Sequence, residues 1–206
     1  MVVDPPNGRI PVTEAAVAIR NNNLVNLTDS WMNHTPWERC ITRGVPGGIF
    51  PPGYGAGYRI LQPPGYVVIQ YEMIHEARII PINDRAPLSE KIRLWNGDAR
   101  GRWEGDTLVV ETANYNDQGT IGTNIASRGL RGIQQSEALK IVERFTRVDR
   151  DTLVYEFTVE DPTWWARPWT AAIPMKTTEG PIFEYACHEG NYGMTNLLTG
   201  ARAQEP

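Results

Sequence analysis

The sequence is poor in the residues that build metal centres, short of positive charge, and without a run that could cross a membrane as a helix. Only two of its 206 residues are cysteine and three are histidine. Cys40 and Cys187 stand too far apart in sequence for a zinc cluster, which uses close pairs. They are two buried thiols if the protein is cytosolic, or one long-range bridge if it is exported. His34, His75 and His188 show no H-x-x-x-H spacing, so a metal site could only be assembled by the fold, and no cofactor is expected. Twenty Lys and Arg against 24 Asp and Glu leave a net charge of -4, which argues against a protein that coats nucleic acid. No apolar run approaches the roughly 18–20 residues of a spanning helix, and no basic start followed by an apolar stretch reads as a signal peptide. The absence of a Gly-x-Ser-x-Gly elbow disfavours the usual serine hydrolases. No phosphate-cradling Gly-x-Gly-x-x-Gly opens a helix.

Glycine (19) and proline (16) are plentiful, and 41% of the residues are hydrophobic. That composition predicts a globular core with many turns and few long helices. Residues 1–57 read as an N-terminal arm. Its first eleven residues are extended and turn-rich, because each proline removes a donor and biases its predecessor away from helix. Thr13 caps a short helix running to about Arg20. Arg43 to Gly57 is a Gly/Pro-rich loop that Ile49, Phe50 and Tyr54 can anchor on a core.

Residues 58–206 read as a β-barrel-like domain. Strands are predicted at Tyr58–Gln62, Tyr66–Glu72, Glu76–Ile82, Leu108–Thr112, Leu139–Val148, Leu153–Glu160, Trp169–Ile173 and Pro181–Cys187. In Leu153–Glu160 the apolar Leu153, Tyr155, Phe157 and Val159 share one face, the period of a half-buried strand. The pattern R-x-[ED]-x-D-T-L-V-x-E occurs twice, at Arg102–Glu111 and Arg147–Glu156. Each copy reads as strand, tight acidic turn and return strand. Successive hairpins of this kind form a meander, and about eight such strands close best as a barrel, since closure removes exposed edges.

Five segments stand out: Val3–Pro11 (VDPPNGRIP), Glu38-Arg39-Cys40, Glu72–Ile80 (EMIHEARII), Gly101–Val109 (GRWEGDTLV) and Glu184–Asn191 (EYACHEGN). Together they resemble a family of exported, functionally uncharacterised bacterial proteins found largely in soil bacteria. The likeness spans nearly the whole chain and implies a periplasmic or secreted location. Family members often carry further sequence before the Asp-Pro-Pro segment, which implies that this chain is a trimmed or divergent form. Export in turn implies a bond between Cys40 and Cys187. The stretch from Glu143 to Pro162 is also similar to lipocalin-type barrels, an analogy of fold alone.

Two polar clusters stand in apolar surroundings. The first is Glu72, His75, Glu76 and Arg78. If Val67–Ile79 is one strand, His75 faces the core and the glutamates face away from it. If the chain turns at Met73–His75, the glutamates can approach each other. The bland reading is a satisfied core histidine with carboxylates paired to Arg78; the sharp one is an acid/base pair, because histidine alone titrates naturally near pH 7. The second cluster is Glu184, Tyr185, His188, Glu189, Asn191 and Tyr192, at a strand end that a Cys40–Cys187 bond would bring beside His34 and Glu38. A third group is aromatic: Trp164, Trp165 and Trp169 with Arg167, suited to stacking on sugars or rings or to packing a core.

The expected function is therefore small-molecule chemistry or binding at a barrel mouth, with no nucleic-acid partner and no membrane span. One reading is a metal-independent acid/base lyase, isomerase or hydrolase acting on a sugar, phenolic or terpenoid-like substrate. His75 or His188 would be its base, Glu72, Glu76 or Glu184 the acid, and Trp164, Trp165, Trp169, Arg167, Tyr185 and Tyr192 would hold the substrate. The others are a non-catalytic carrier of an apolar or aromatic molecule, and a structural protein with a filled interior. The cysteines are the first point to test. Bonded, their Cα atoms lie within about 7 Å, and the long loop they close contributes roughly 4–5 kcal/mol in the chain-entropy model. Reductant is then expected to lower the melting temperature; equal melting with and without it would mean that no bridge forms.

Overall fold

The structure is a computed structural model, and it describes residues 1–50, 54–83, 85–122 and 130–205, at His75 the backbone alone. Among them are nine strands: β1 (Val2–Asp4), β2 (Tyr58–Leu61), β3 (Tyr66–Tyr71), β4 (Ala77–Pro81), β5 (Asp98–Glu104), β6 (Thr107–Ala113), β7 (Lys140–Arg147), β8 (Thr152–Glu160) and β9 (Trp169–Lys176). The two α-helices are α1 (Glu14–Val25) and α2 (Gly193–Arg202). The protein is thus mainly β. Thr13 caps α1 as the sequence suggests, its hydroxyl accepting from the Ala16 amide at 3.2 Å. The helix runs past Arg20 to Val25, and α2 was not anticipated.

The strands form two antiparallel sheets. The larger has the order β1-β9-β8-β7-β6-β5 and the smaller β2-β3-β4. The repeated motif makes the hairpins β5–β6 and β7–β8, which pair side by side through β6 and β7. This is the predicted meander, but neither sheet closes into a barrel. β4 stands beside β5 without joining its ladder. Ile80 and Ile82 press there on Gly101, where a Cβ would lie only 3.0 and 2.8 Å from their methyl groups.

Pro181–Cys187 is irregular rather than a strand. The edge of β9 that it could have joined is taken by β1, through Val2 opposite Ala171 and Asp4 opposite Thr170. The segment instead leads to Cys187, whose Cα lies 5.7 Å from that of Cys40 in a disulfide.

One core lies between the sheets. Val67, Ile69 and Ile80 of the small sheet meet Leu108, Phe145 and Phe157 of the large one. The Gly/Pro-rich loop enters this core as well, for residues 42–49 are all buried. Buried loops must satisfy their own backbone groups. Here Gly48 and Phe50 donate back to Gly44 and Pro46, and the Tyr58 hydroxyl donates to the Gly48 carbonyl. Gly44 takes φ +72° with its α-carbon so close to Thr120 that a Cβ would meet the Thr120 carbonyl at 2.8 Å. Only glycine suits both demands. Pro51, Pro52 and Gly53 of this loop lie outside the described residues.

The sheets are joined by a buried ion pair. Arg78 on β4 donates through both terminal nitrogens to the Glu143 carboxylate on β7, at 2.9 and 2.6 Å. Tyr155 donates to the same carboxylate at 2.8 Å, and Arg78 also reaches the Tyr71 hydroxyl at 3.3 Å. Arg78 is 7% exposed and Glu143 fully buried. Burial opposes charge on the guanidinium, but the adjacent carboxylate outweighs it and holds Arg78 protonated. The pairing expected between Arg78 and Glu72 or Glu76 does not occur. Replacing Arg78 alone by Met would leave Glu143 buried without its partner and is expected to cost about 3–5 kcal/mol in urea unfolding. The double variant Arg78→Met with Glu143→Leu is expected to recover most of that loss, because two apolar groups leave no orphaned charge.

Candidate functional site

A cleft of about 1310 Å³ opens between the small sheet and one end of the large one. One wall comes from Tyr58 and Ile60 on β2 and Val67 and Ile69 on β3. The other comes from Leu108, Phe145, Leu153, Ile173 and Met175 on β6 to β9. Period-two alternation turns these side chains inward. Both copies of the repeated motif contribute their turns to the rim: Gly105 and Asp106 from the first, Arg150, Asp151 and Thr152 from the second. The segment after β9 crosses the cleft with Thr177, Pro181 and Phe183.

Cations gather at this rim. Arg59, Arg147, Arg150 and Lys176 line it, against Glu72, Asp106 and Asp151. Arg147 is braced on the carbonyls of Asp149 and Arg150 at 3.1 and 2.9 Å, and Lys176 on the Thr152 hydroxyl at 2.6 Å. An apolar floor under fixed polar groups is the usual form of a small-molecule site.

The residues singled out in the sequence are scattered. The chain does turn after Tyr71, through a single 3₁₀ turn at Met73–His75 in which Ile74 takes φ 60°. The turn separates the two glutamates. Glu72 faces the cleft and accepts from the Gly57 amide at 3.1 Å. Glu76 accepts from Thr42 at 2.7 Å and from the Asn96 side-chain amide. The His75 side chain lies outside the described residues. His188 and Glu184 are exposed on the irregular segment. Tyr192 is exposed just before α2. Tyr185 lines a second cavity of about 310 Å³ with Trp37, Glu38, Glu189 and Asn191.

The aromatic group packs the core rather than a surface. Trp169 is fully buried, 5.7 Å from Phe157 and 5.8 Å from Trp165 between ring centroids. Trp164 is partly buried against the same core. Arg167 pairs with Asp4 at 2.9 Å on the exposed edge where β1 joins β9. The disulfide does bring the arm beside the 185–191 segment, as the sequence suggested. There His34 lies 3.7 Å from Glu38, whose other oxygen is held by Arg131 at 2.7 Å. Among the described residues no group of three or more His, Cys, Asp or Glu could hold a metal.

Sequence reasoning missed the cleft itself. Phe145 and Leu153 were visible as strand residues, and the repeat marked the two turns that form the rim. Their meeting with β2 and β3 is set by packing between sheets. Arg43, buried in the loop at 2% exposure, gave no sequence signal, because an isolated charge in a Gly/Pro-rich stretch reads as solvated.

No protein-family model matches the chain, and no solved structure matches it. It is similar over 128 residues, at 27% identity, to a UDP-N-acetylmuramoylalanine--D-glutamate ligase of Geotalea uraniireducens (strain Rf4). The match covers 59% of this chain and 28% of that ligase, too little of either to place the chain in its family.

Burial dominates the phenols of this region. It pushes Tyr58, at the cleft wall, and Tyr71, beside Arg78, up to about 12. A group whose folded pKa is raised stabilises the fold fully below its unfolded value, here about 10, and loses that contribution as the pH climbs towards the folded value. Stability to urea is therefore expected to fall between about pH 10 and 12. Tyr71→Phe should flatten that slope, since phenylalanine has no proton to release; an unchanged slope would show that Tyr71 ionises as freely folded as unfolded.

Proposed function

We propose that the protein is an exported binder of a mid-sized apolar or aromatic molecule, held in the cleft between the sheets. The observation that carries this reading is the cleft's size together with its lining. At about 1310 Å³ it exceeds the roughly 300–1,000 Å³ common for small-ligand pockets. Its walls are Ile69, Leu108, Phe145, Leu153 and Ile173, with the charges confined to the rim. Export is supported by the Cys40–Cys187 disulfide, since such bonds persist in oxidising compartments. No helix among the described residues is long and apolar enough to cross a membrane.

A catalytic use of the same cleft is the second reading, favoured by one observation. Glu72, a member of the expected acid/base set, lines it and is fixed by the Gly57 amide. In that reading Glu72 acts as general acid or base on a bound molecule.

Titration with the fluorescent apolar anion 1-anilinonaphthalene-8-sulfonate, followed by competition with a panel of terpenoid and phenolic compounds, tests the first reading. Met175→Glu and Leu153→Glu place charge on half-buried walls, and each is expected to weaken binding by about tenfold or more, about 1.4 kcal/mol, with little change in melting temperature. Binding that ignores both substitutions would place the ligand elsewhere. Glu72→Gln separates the two readings: retained binding with lost turnover of a competing compound supports catalysis, and unchanged behaviour supports the carrier.

A further inference from the structure

Arg147 breaks the pattern of its strand. The period-two alternation of β7 turns Ile141, Glu143, Phe145 and Arg147 to the inner face. Ile141 and Phe145 are apolar, and Glu143 is matched by Arg78. Arg147 pairs in register with Leu153 on β8, which pairs with Met175 on β9. All three line the cleft, and Arg147 is exposed, so a ligand in the cleft can reach it. Its Nε and Nη2 donate to the carbonyls of Asp149 and Arg150 at 3.1 and 2.9 Å. Among the described residues Nη1 has no acceptor, and no carboxylate pairs with the guanidinium. The repeated motif supplies a contrast. Arg102, at the same position of the first copy, is held between the carboxylates of Glu104 and Glu111. The motif therefore admits a fully paired arginine, and its second copy leaves one unpaired at the cleft.

The neighbouring charges favour an anion at this point. Arg150, in the same turn, and Lys176, at the end of β9, also line the cleft, and neither forms an ion pair among the described residues. Of the acids in the lining, Glu72 already accepts from the Gly57 amide at 3.1 Å and Asp151 from the Thr177 hydroxyl at 3.2 Å. Asp106 belongs to the other hairpin turn. Asp149, beside Arg150, accepts from the Asp151 amide at 2.8 Å. We propose that the ligand of the cleft is an amphiphile with a carboxylate head, bound by Arg147, and an apolar body laid against Phe145, Leu153 and Met175; this rests on the reading of the cleft as a binding site. The free edge of the guanidinium, Nη1 with the second hydrogen of Nη2, can meet a planar carboxylate through two parallel charge-assisted bonds. The two carbonyls already hold the side chain, so little of its freedom is lost on binding.

Calorimetric titration of the full chain at neutral pH with decanoate, decanol and decyltrimethylammonium, each kept monomeric, tests the head group with the apolar body held constant. Decanoate is expected to bind at least about tenfold more tightly than decanol, and the cation no better than decanol. Arg147→Met is expected to abolish the preference for decanoate while leaving decanol binding unchanged. Equal binding of decanoate and decanol, tightest binding of the cation, or a preference that survives Arg147→Met would each overturn the carboxylate head and leave the cleft reading standing. Binding of 1-anilinonaphthalene-8-sulfonate without any of the decyl compounds would do the same. Failure of all four to bind would overturn the cleft reading and this proposal with it. If Arg147→Met does not fold, Leu153→Glu decides, since it sets an acid opposite Arg147 in register. That variant is expected to lose the ratio of decanoate to decanol affinity, and an unchanged ratio would overturn the proposal.

Discussion

The Arg78–Glu143 pair is the constraint on which the arrangement of the two sheets depends. It is a polar contact set in an apolar core, and it is directional. A bidentate guanidinium–carboxylate contact tolerates little rotation, so β4 must meet β7 at one position and one angle. Hydrophobic contacts alone would allow the small sheet to slide over the large one. Burying such a pair is not a sure gain in stability. Its use here is registration. Tyr155 and Tyr71 complete the shell around it, so the carboxylate and guanidinium keep partners in the dry interior.

That registration leaves a cleft instead of a filled sandwich. β4 lies close to β5 at Gly101, while β2 stands over the far ends of β7 to β9, and the space between them stays open. The buried loop at 42–49 fills another part of the interior and reaches the cleft through Ile49. Its backbone groups bond within the loop and to Tyr58, which lets irregular chain occupy a place usually held by regular structure. The disulfide then ties this arm to the segment that crosses the cleft after β9. Core, loop, bridge and crossing strap therefore depend on one another.

The same interdependence explains how unlike the two kinds of buried arginine are. Arg78 is matched by an acid on the facing sheet. Arg43 sits in a loop against the Trp37 ring, and among the described residues no acid pairs with it. One is a fastening between layers; the other rests on an aromatic face.

Much of the local structure was legible in the chain. Alternation in Leu153–Glu160 marks β8, Thr13 marks the start of α1, and the duplicated R-x-[ED]-x-D-T-L-V-x-E motif marks two hairpins that pair as a meander. These follow from residues near one another in sequence, where period and turn chemistry act directly. Glu143 also carried a signal, for it occupies the inward position between Ile141 and Phe145 on β7. What it meets there was not legible, because its partner lies on another sheet. Closure was the same kind of question. Whether β4 joins β5 in a ladder, and whether β1 or Pro181–Cys187 takes the edge of β9, depends on competition between segments distant in sequence. So does the fate of Glu72 and Glu76, which one turn at Ile74 sends to different partners. The sequence by itself determined most of the strands, the start of the first helix and the residues able to bond or ionise. Tertiary structure alone decided which of them share a space, because that is settled by which apolar faces bury each other and which buried charges find a partner.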